Sequence, residues 1–159
     1  MTPDSLFHAD GVLCDLHVSS KKQLFQEMAT KLLETEVFKD SDLAIRDIVA
    51  AAMERERLGS TGVGTGVALP HARLEGIDRV YAVFARLETA IDYDAIDERP
   101  VDLVMLLLAP SDAGGAHLRA LAKVSRMLRR QDMRQRLRAA PNAESLFTIL
   151  TEERNSAAA

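Results

Sequence analysis

The sequence predicts an α/β (mixed α+β) fold: a three-layer α/β/α domain with helices on both faces of a mixed sheet. Three observations carry this expectation. Val101–Leu108 reads Val-Asp-Leu-Val-Met-Leu-Leu-Leu, a nearly unbroken apolar run of the kind found in strands covered on both faces. Segments of helical period lie before and after the strand-like runs, so both faces of the sheet have helices to bury them. The length, 159 residues, suits one compact domain with a core large enough to need no staple.

The elements follow in chain order. Residues 1–11 lack a clear period and read as an N-terminal arm. Val12–Val18 alternates imperfectly and predicts a short strand. Ser19 or Ser20 caps a helix over Lys21–Thr35, with Gln23 completing a capping box. Leu24, Phe25, Met28, Leu32 and Leu33 form its apolar stripe. A second helix starts near Asp40 or Ser41, buries Ile45, Ile48, Val49, Ala52 and Met53, and stops at Gly59. Three strands are expected at Gly66–Leu69, Val80–Leu87 and Val101–Leu108, with an acidic connection over Asp92–Pro100. A helix from about Ala116 takes its period from Leu118, Leu121, Ala122, Ser125 and Leu128. Asp132–Ala139 is a short basic helix, and Pro141-Asn142 breaks the chain. Ala143–Glu152 is the last helix, with Leu146, Ile149 and Leu150 inward. The domain is thus expected over residues 12–153, with 154–159 a tail. The arginines 126, 129, 130, 134, 136 and 138 read as a solvated helical face before they read as a partner surface.

Composition narrows the function. Apolar residues make up 47% and aromatics only 4%, with no Trp, so the core is Leu, Val, Ala, Ile and Met. A net charge of −4 provides no overall basic field for nucleic acid. Cys14 is the single cysteine, leaving no internal disulfide. The N-terminal residues carry no export signal, and the longest apolar run is too short to cross a bilayer. The expectation is a cytoplasmic protein with no membrane insertion.

The stretch with chemistry in it is Arg55–Arg73. Four of the eight glycines fall between Gly59 and Gly66, followed by Val67-Ala68-Leu69-Pro70-His71. A P-loop would carry Gly-Lys-Ser/Thr and open a helix; this loop has no lysine and leads into a strand. A dinucleotide fingerprint follows a strand, and this spacing follows a helix. What remains is either a flexible turn or an anion site built from Ser60, Thr61, Gly62, Gly64, Thr65 and Gly66. Pro70 fixes its own φ and holds Leu69 extended, so His71 is presented reproducibly at a strand end. No other histidine stands at metal-ligand spacing from it, and no nucleophile elbow is present, so neither a metal centre nor a serine triad is expected. A neutral imidazole is a good nucleophile toward phosphorus near pH 7, given cationic and N–H donors around the phosphoryl oxygens. Arg55, on the last turn of a helix, can supply one. His117, in the first turn of a later helix, is either a surface residue or a second donor.

These residues resemble the IIA proteins of the bacterial phosphotransferase system, in the mannitol/fructose-type class and nearest its nitrogen-related branch. The resemblance rests on Arg55-Glu56-Arg57-Leu58-Gly59-Ser60-Thr61-Gly62 and Gly66-Val67-Ala68-Leu69-Pro70-His71. Asp94-Ala95-Ile96-Asp97, Pro100-Val101-Asp102-Leu103, His117-Leu118 and Leu137-Arg138-Ala139-Ala140 extend it, over about Val12 to Glu152. It implies that His71 is phosphorylated, through Nε2, by a phosphohistidine carrier of the HPr/NPr type, with Arg55 and His117 beside it. It implies no cofactor. In that branch it implies regulation of partners such as potassium-transport or sensor-kinase proteins by phosphorylation state. The alternative is a sugar-transport IIA component passing phosphate to a IIB domain. Whether the chain forms a homodimer is left open. Relatives often carry Pro-His-Gly where this chain has Ala72, which raises the question of the backbone after His71.

Overall fold

The computed structural model describes residues 6–112 and 114–158. Among these, six strands form a mixed sheet and five α-helices cover it. The strands are β1 (Phe7–Leu16), β2 (Gly62–Gly64), β3 (Val67–Ala68), β4 (His71–Leu74), β5 (Tyr81–Ile91) and β6 (Val101–Pro110). The helices are α1 (Lys21–Leu33), α2 (Ile45–Arg57), α3 (Gly115–Arg129), α4 (Gln131–Ala139) and α5 (Ala143–Ala158). No helix of the described residues is long and apolar enough to cross a membrane.

The strand order is β1-β5-β6-β3-β2, with β4 also on β6. Strands β5 and β6 are antiparallel, whereas β1 pairs β5 and both β3 and β4 pair β6 in parallel. The apolar run of β6 is explained by two cores. Val104, Leu106 and Leu108 enter the core under α1 and α2, and Leu103, Met105, Leu107 and Ala109 enter the one under α3, α4 and α5. Three layers follow directly from that alternation.

Strands β3 and β4 behave as one interrupted strand. Val67 faces Leu103, Ala68 faces Val104, and His71 faces Leu107, so the register is unchanged across Leu69-Pro70. Proline cannot donate to a ladder, but its carbonyl accepts from Leu107 N–H at 3.0 Å and keeps the pairing aligned. Ahead of β3, the glycine-rich segment is a hairpin. Gly62 pairs with Ala68 and Gly64 with Val67, and Thr65 and Gly66 turn the chain at φ 58° and 81°. Successive positive φ values are those of a type I′ turn. Gly62 is required for a different reason, since a Cβ there would lie 2.8 Å from Ala95 Cα.

Several boundaries differ from expectation. Strand β1 begins at Phe7, so residues 7–11 belong to the sheet and not to an arm; residues 1–5 lie outside the described residues. Phe7 pairs with Ala82 and the Leu6 carbonyl accepts Ala82 N–H at 3.1 Å, pairing that no local pattern announces. Helix α2 begins later than Ser41, whose hydroxyl accepts Leu43 N–H in a local turn. Its first turn is closed by Asp47, which accepts Ala44 N–H at 3.0 Å. Helix α1 begins as expected on Ser20, whose hydroxyl accepts Gln23 N–H, although Gln23 reaches back to Ser19 instead. Helix α5 continues to Ala158, through most of the expected tail. In α3 the buried face is His117, Ala120, Val124, Met127 and Leu128, so Leu118 points outward at 63% exposure.

Two buried charged residues tie the layers together. Arg86 donates to the carbonyls of Leu137 at 2.9 Å and Ala140 at 2.5 Å, closing the end of α4, and pairs with Asp15 on β1 at 2.9 Å. Among the clustered arginines, Arg130 pairs with Asp132, Arg134 caps carbonyls at the end of α3, Arg136 pairs with Glu152, and Arg138 pairs with Asp102. Glu56 is the second. Its buried carboxylate takes Lys21 Nζ at 2.9 Å, Tyr93 Oη at 3.0 Å, and both the N–H and the hydroxyl of Thr61. Burial, with the Glu56 charge beside it, pushes the Tyr93 phenol far above its ordinary range, so it stays a donor. Replacing Glu56 by alanine leaves these donors without their acceptor. The expected cost is about 3 kcal/mol in unfolding free energy, read from the urea midpoint, with Glu56→Gln intermediate.

Candidate functional site

His71 opens β4 at the sheet edge, where α2 from one layer and α3 from the other come together. Its side chain is on the same face of β4 as Arg73, the face that packs toward α3. Helix α2 brings Arg55 from the opposite layer. The three named residues, His71, His117 and Arg55, therefore converge from three elements. They share an open cleft of about 540 Å³ with Ala51, Leu58, Arg73, Leu118 and Leu121.

Hydrogen bonding defines the imidazoles. His71 Nδ1 lies 2.9 Å from the Leu69 carbonyl, which can only accept, so Nδ1 carries the proton. The lone pair is therefore on Nε2, where Arg55 Nε donates at 3.3 Å. Arg55 is held by its Nη1, which donates to the Gly59 carbonyl at 2.9 Å just beyond the end of α2. The His117 ring stands edge-on to His71, with centroids 5.5 Å apart and an interplanar angle of 71°. His117 is 5% exposed, a buried residue and not a surface one. Its Nδ1 accepts from Arg73 Nε at 3.2 Å, while its Nε2 is buried without a hydrogen-bond partner among the described residues. Burial chiefly, then the charges of His71 and Arg73, hold His117 below its ordinary imidazole range.

The glycine-rich loop does not form part of this cleft. None of Ser60, Thr61, Gly62, Gly64, Thr65 and Gly66 lines it. Their groups are committed elsewhere: Thr61 N–H to Glu56, Gly62 N–H to the Ser60 hydroxyl, Thr65 N–H to Asp97, and the Gly66 carbonyl to Asp102 and Leu103. The expected phosphoryl-binding loop is a hairpin lying outside the cleft of His71, Arg55 and His117, with the N–H groups of Thr61, Gly62 and Thr65 already paired. Ala72 answers the question about the backbone. It has no positive φ, pairs with Leu108 in β4, and is buried in the core beneath α1 and α2.

Arg73 is the site residue that sequence reasoning missed. The available signal was its position two residues after His71 on a strand, which puts both on one face. Strand β4 itself, only four residues long, was not foreseen. No group of three or more His, Cys, Asp or Glu side chains among the described residues converges as a metal site.

Comparison with known proteins shows the family and the fold. Residues 5–153 match the family model described as "Phosphoenolpyruvate-dependent sugar phosphotransferase system, EIIA 2". The nitrogen regulatory protein of Bradyrhizobium diazoefficiens is 43% identical over 141 residues, covering 89% of each chain. That of Pseudomonas aeruginosa is 39% identical over 136 residues, covering 86% of each. The crystal structure of nitrogen regulatory protein IIA-Ntr from Neisseria meningitidis superposes with a TM-score of 0.82 at 35% identity, covering 91% of this chain and 96% of that one.

A pH dependence follows from the depressed His117. The unfolded chain takes up a proton near pH 6.5 that folded His117 does not accept until lower pH. Stability is therefore full above about pH 6.5 and falls as the pH drops below it. The urea midpoint of the wild type is expected to decline between pH 7.5 and 5.5. The decline is smaller in His117→Gln, with His8, also depressed mainly by burial, supplying a remaining part.

Proposed function

Since the chain belongs to the type-2 EIIA family of the phosphoenolpyruvate-dependent sugar phosphotransferase system, we propose that it accepts a phosphoryl group on His71 Nε2 from a phosphohistidine carrier of the HPr/NPr type. Its phosphorylation state then regulates partner proteins. The observation that carries this reading is the tautomer of His71. With Nδ1–H held by the Leu69 carbonyl, the lone pair is on the nitrogen that faces the cleft.

The transfer balances simply. The Nε2 lone pair attacks phosphorus, the Nε2–P bond forms, and the donor's P–N bond breaks with its electron pair returning to the carrier's imidazole. Nδ1 keeps its proton throughout. Arg55 Nε lies on the lone pair in the resting site, so the guanidinium shifts from the nitrogen to a phosphoryl oxygen as the bond forms. His117, kept neutral by burial, contributes an N–H donor and no positive charge.

The rim supports a protein partner over a small substrate. Leu58 is 81% exposed and Leu118 63% exposed at the edge of the cleft, apolar surface that a docking protein would cover. Phosphorylation adds roughly two negative charges at the centre of that face, enough to change which partner fits. Regulation is favoured over sugar transport by relatives named as nitrogen regulatory proteins, which align with more of this chain at higher identity than the fructose-specific EIIA component does.

Incubation with phosphorylated carrier, followed by intact mass and peptide mapping, tests the reading. One phosphoryl group is expected on His71, with none on His71→Gln; equal labelling of that variant rejects the assignment. Arg55→Ala is expected to fold normally and accept phosphate about 100-fold more slowly. Transfer to a fructose- or mannitol-specific IIB as fast as from its own IIA would favour the transport function instead.

A further inference from the structure

We propose that Arg73 is a positioning residue that fixes His117 in the Nε2–H tautomer and so aims its proton at the phosphoryl group on His71. The inference rests on the phosphotransfer function proposed above. Neutral imidazole has two tautomers of similar energy, and the partner of one ring nitrogen decides between them. Arg73 Nε lies 3.2 Å from His117 Nδ1. A guanidinium has donors only and does not lose its proton, so it makes Nδ1 the lone-pair side and leaves the hydrogen on Nε2. That hydrogen has no acceptor: Nε2 is buried and unpartnered among the described residues, in a site whose other imidazole is 5.5 Å away. An unmade buried hydrogen bond is costly and uncommon in a folded protein. A phosphoryl oxygen on His71 is the acceptor that would complete it.

The arrangement is determined by the sheet. His71 and Arg73 are alternate residues of β4, opposite Leu107 and Ala109 on β6, so one strand carries both the acceptor histidine and the group that orients its neighbour. Arg73 is itself exposed at the edge of the cleft, and its Nε is the atom that reaches His117. Its charge also opposes protonation of His117, in the same direction as burial.

The test is long-range 1H–15N correlation spectroscopy of the unphosphorylated, histidine-labelled protein at pH 7.5, combined with transfer from phosphorylated carrier. In the wild type, His117 Nε2 is expected at the protonated position and Nδ1 at the lone-pair position. In Arg73→Met the two signals move toward the averaged values of mixed tautomers, and transfer slows about 10-fold. Arg73→Lys, which still donates, retains most of both. Unchanged tautomer signals in Arg73→Met overturn the inference even if transfer falls, since Arg73 would then act on the phosphoryl group directly. Unchanged transfer in that variant overturns it as well. Absence of any label on wild-type His71 would reject the phosphotransfer reading, an outcome distinct from the tautomer result, which is read before phosphorylation.

Discussion

The parallel pairing of residues 67–74 with β6 is the constraint on which the site depends. One register runs through Leu69-Pro70, where the ladder loses a donor but not its alignment. Because the register holds, the Leu69 carbonyl and the His71 ring lie within hydrogen-bonding distance, and the position of the imidazole lone pair is decided by the backbone. Strand β6 can serve as the reference because it is buried on both faces, packed by α1 and α2 on one side and by α3, α4 and α5 on the other. A rigid central strand thus fixes an edge strand, and the edge strand fixes the histidine.

The two histidines are set in opposite senses by opposite chemistry. A carbonyl, which only accepts, places the His71 proton on Nδ1; a guanidinium, which only donates, faces His117 Nδ1 and, in the arrangement proposed above, leaves its proton on Nε2. The result is a lone pair beside a donor in one cleft. The Glu56 network serves the same end from the other layer. It joins the start of α1, the end of α2 and the β5–β6 connection, so Arg55, one residue earlier on α2, arrives on a firmly held helix end.

The residues that meet in the cleft were partly legible because their signals are local. Arg55 lies at the end of a helix whose expected stripe is buried at Ile48, Val49 and Ala52 but exposed at Ile45, and Pro70 interrupts the strand without ending it, so that His71 opens β4 and does not close β3. The glycine loop misled for an understandable reason. Closely spaced glycines signal positive φ and close approach, which is what Gly62 and Gly66 supply, but the backbone groups they expose were already paired. The period of α3 misled similarly. Leucines at 118 and 121 fit a helical stripe as well as 117, 120 and 124 do, and only the docking of α3 on the sheet selects the second. Strands β2 and β4 span three and four residues, too few for any periodicity to show, whereas β3 falls within the strand expected at Gly66–Leu69.

What the sequence determined by itself is the fold class, the existence of most helices, the family resemblance and the choice of His71 as the histidine to examine, since each rests on residue type and short-range spacing. What only the tertiary structure decided is the hydrogen-bond partner of each imidazole, the burial of His117, the contact of Arg73 with it and the position of the glycine hairpin outside the cleft. Those depend on contacts between residues as far apart in the chain as Arg73 and His117, which are adjacent because β4 pairs beside β6 in the sheet and α3 packs on the face to which Arg73 points.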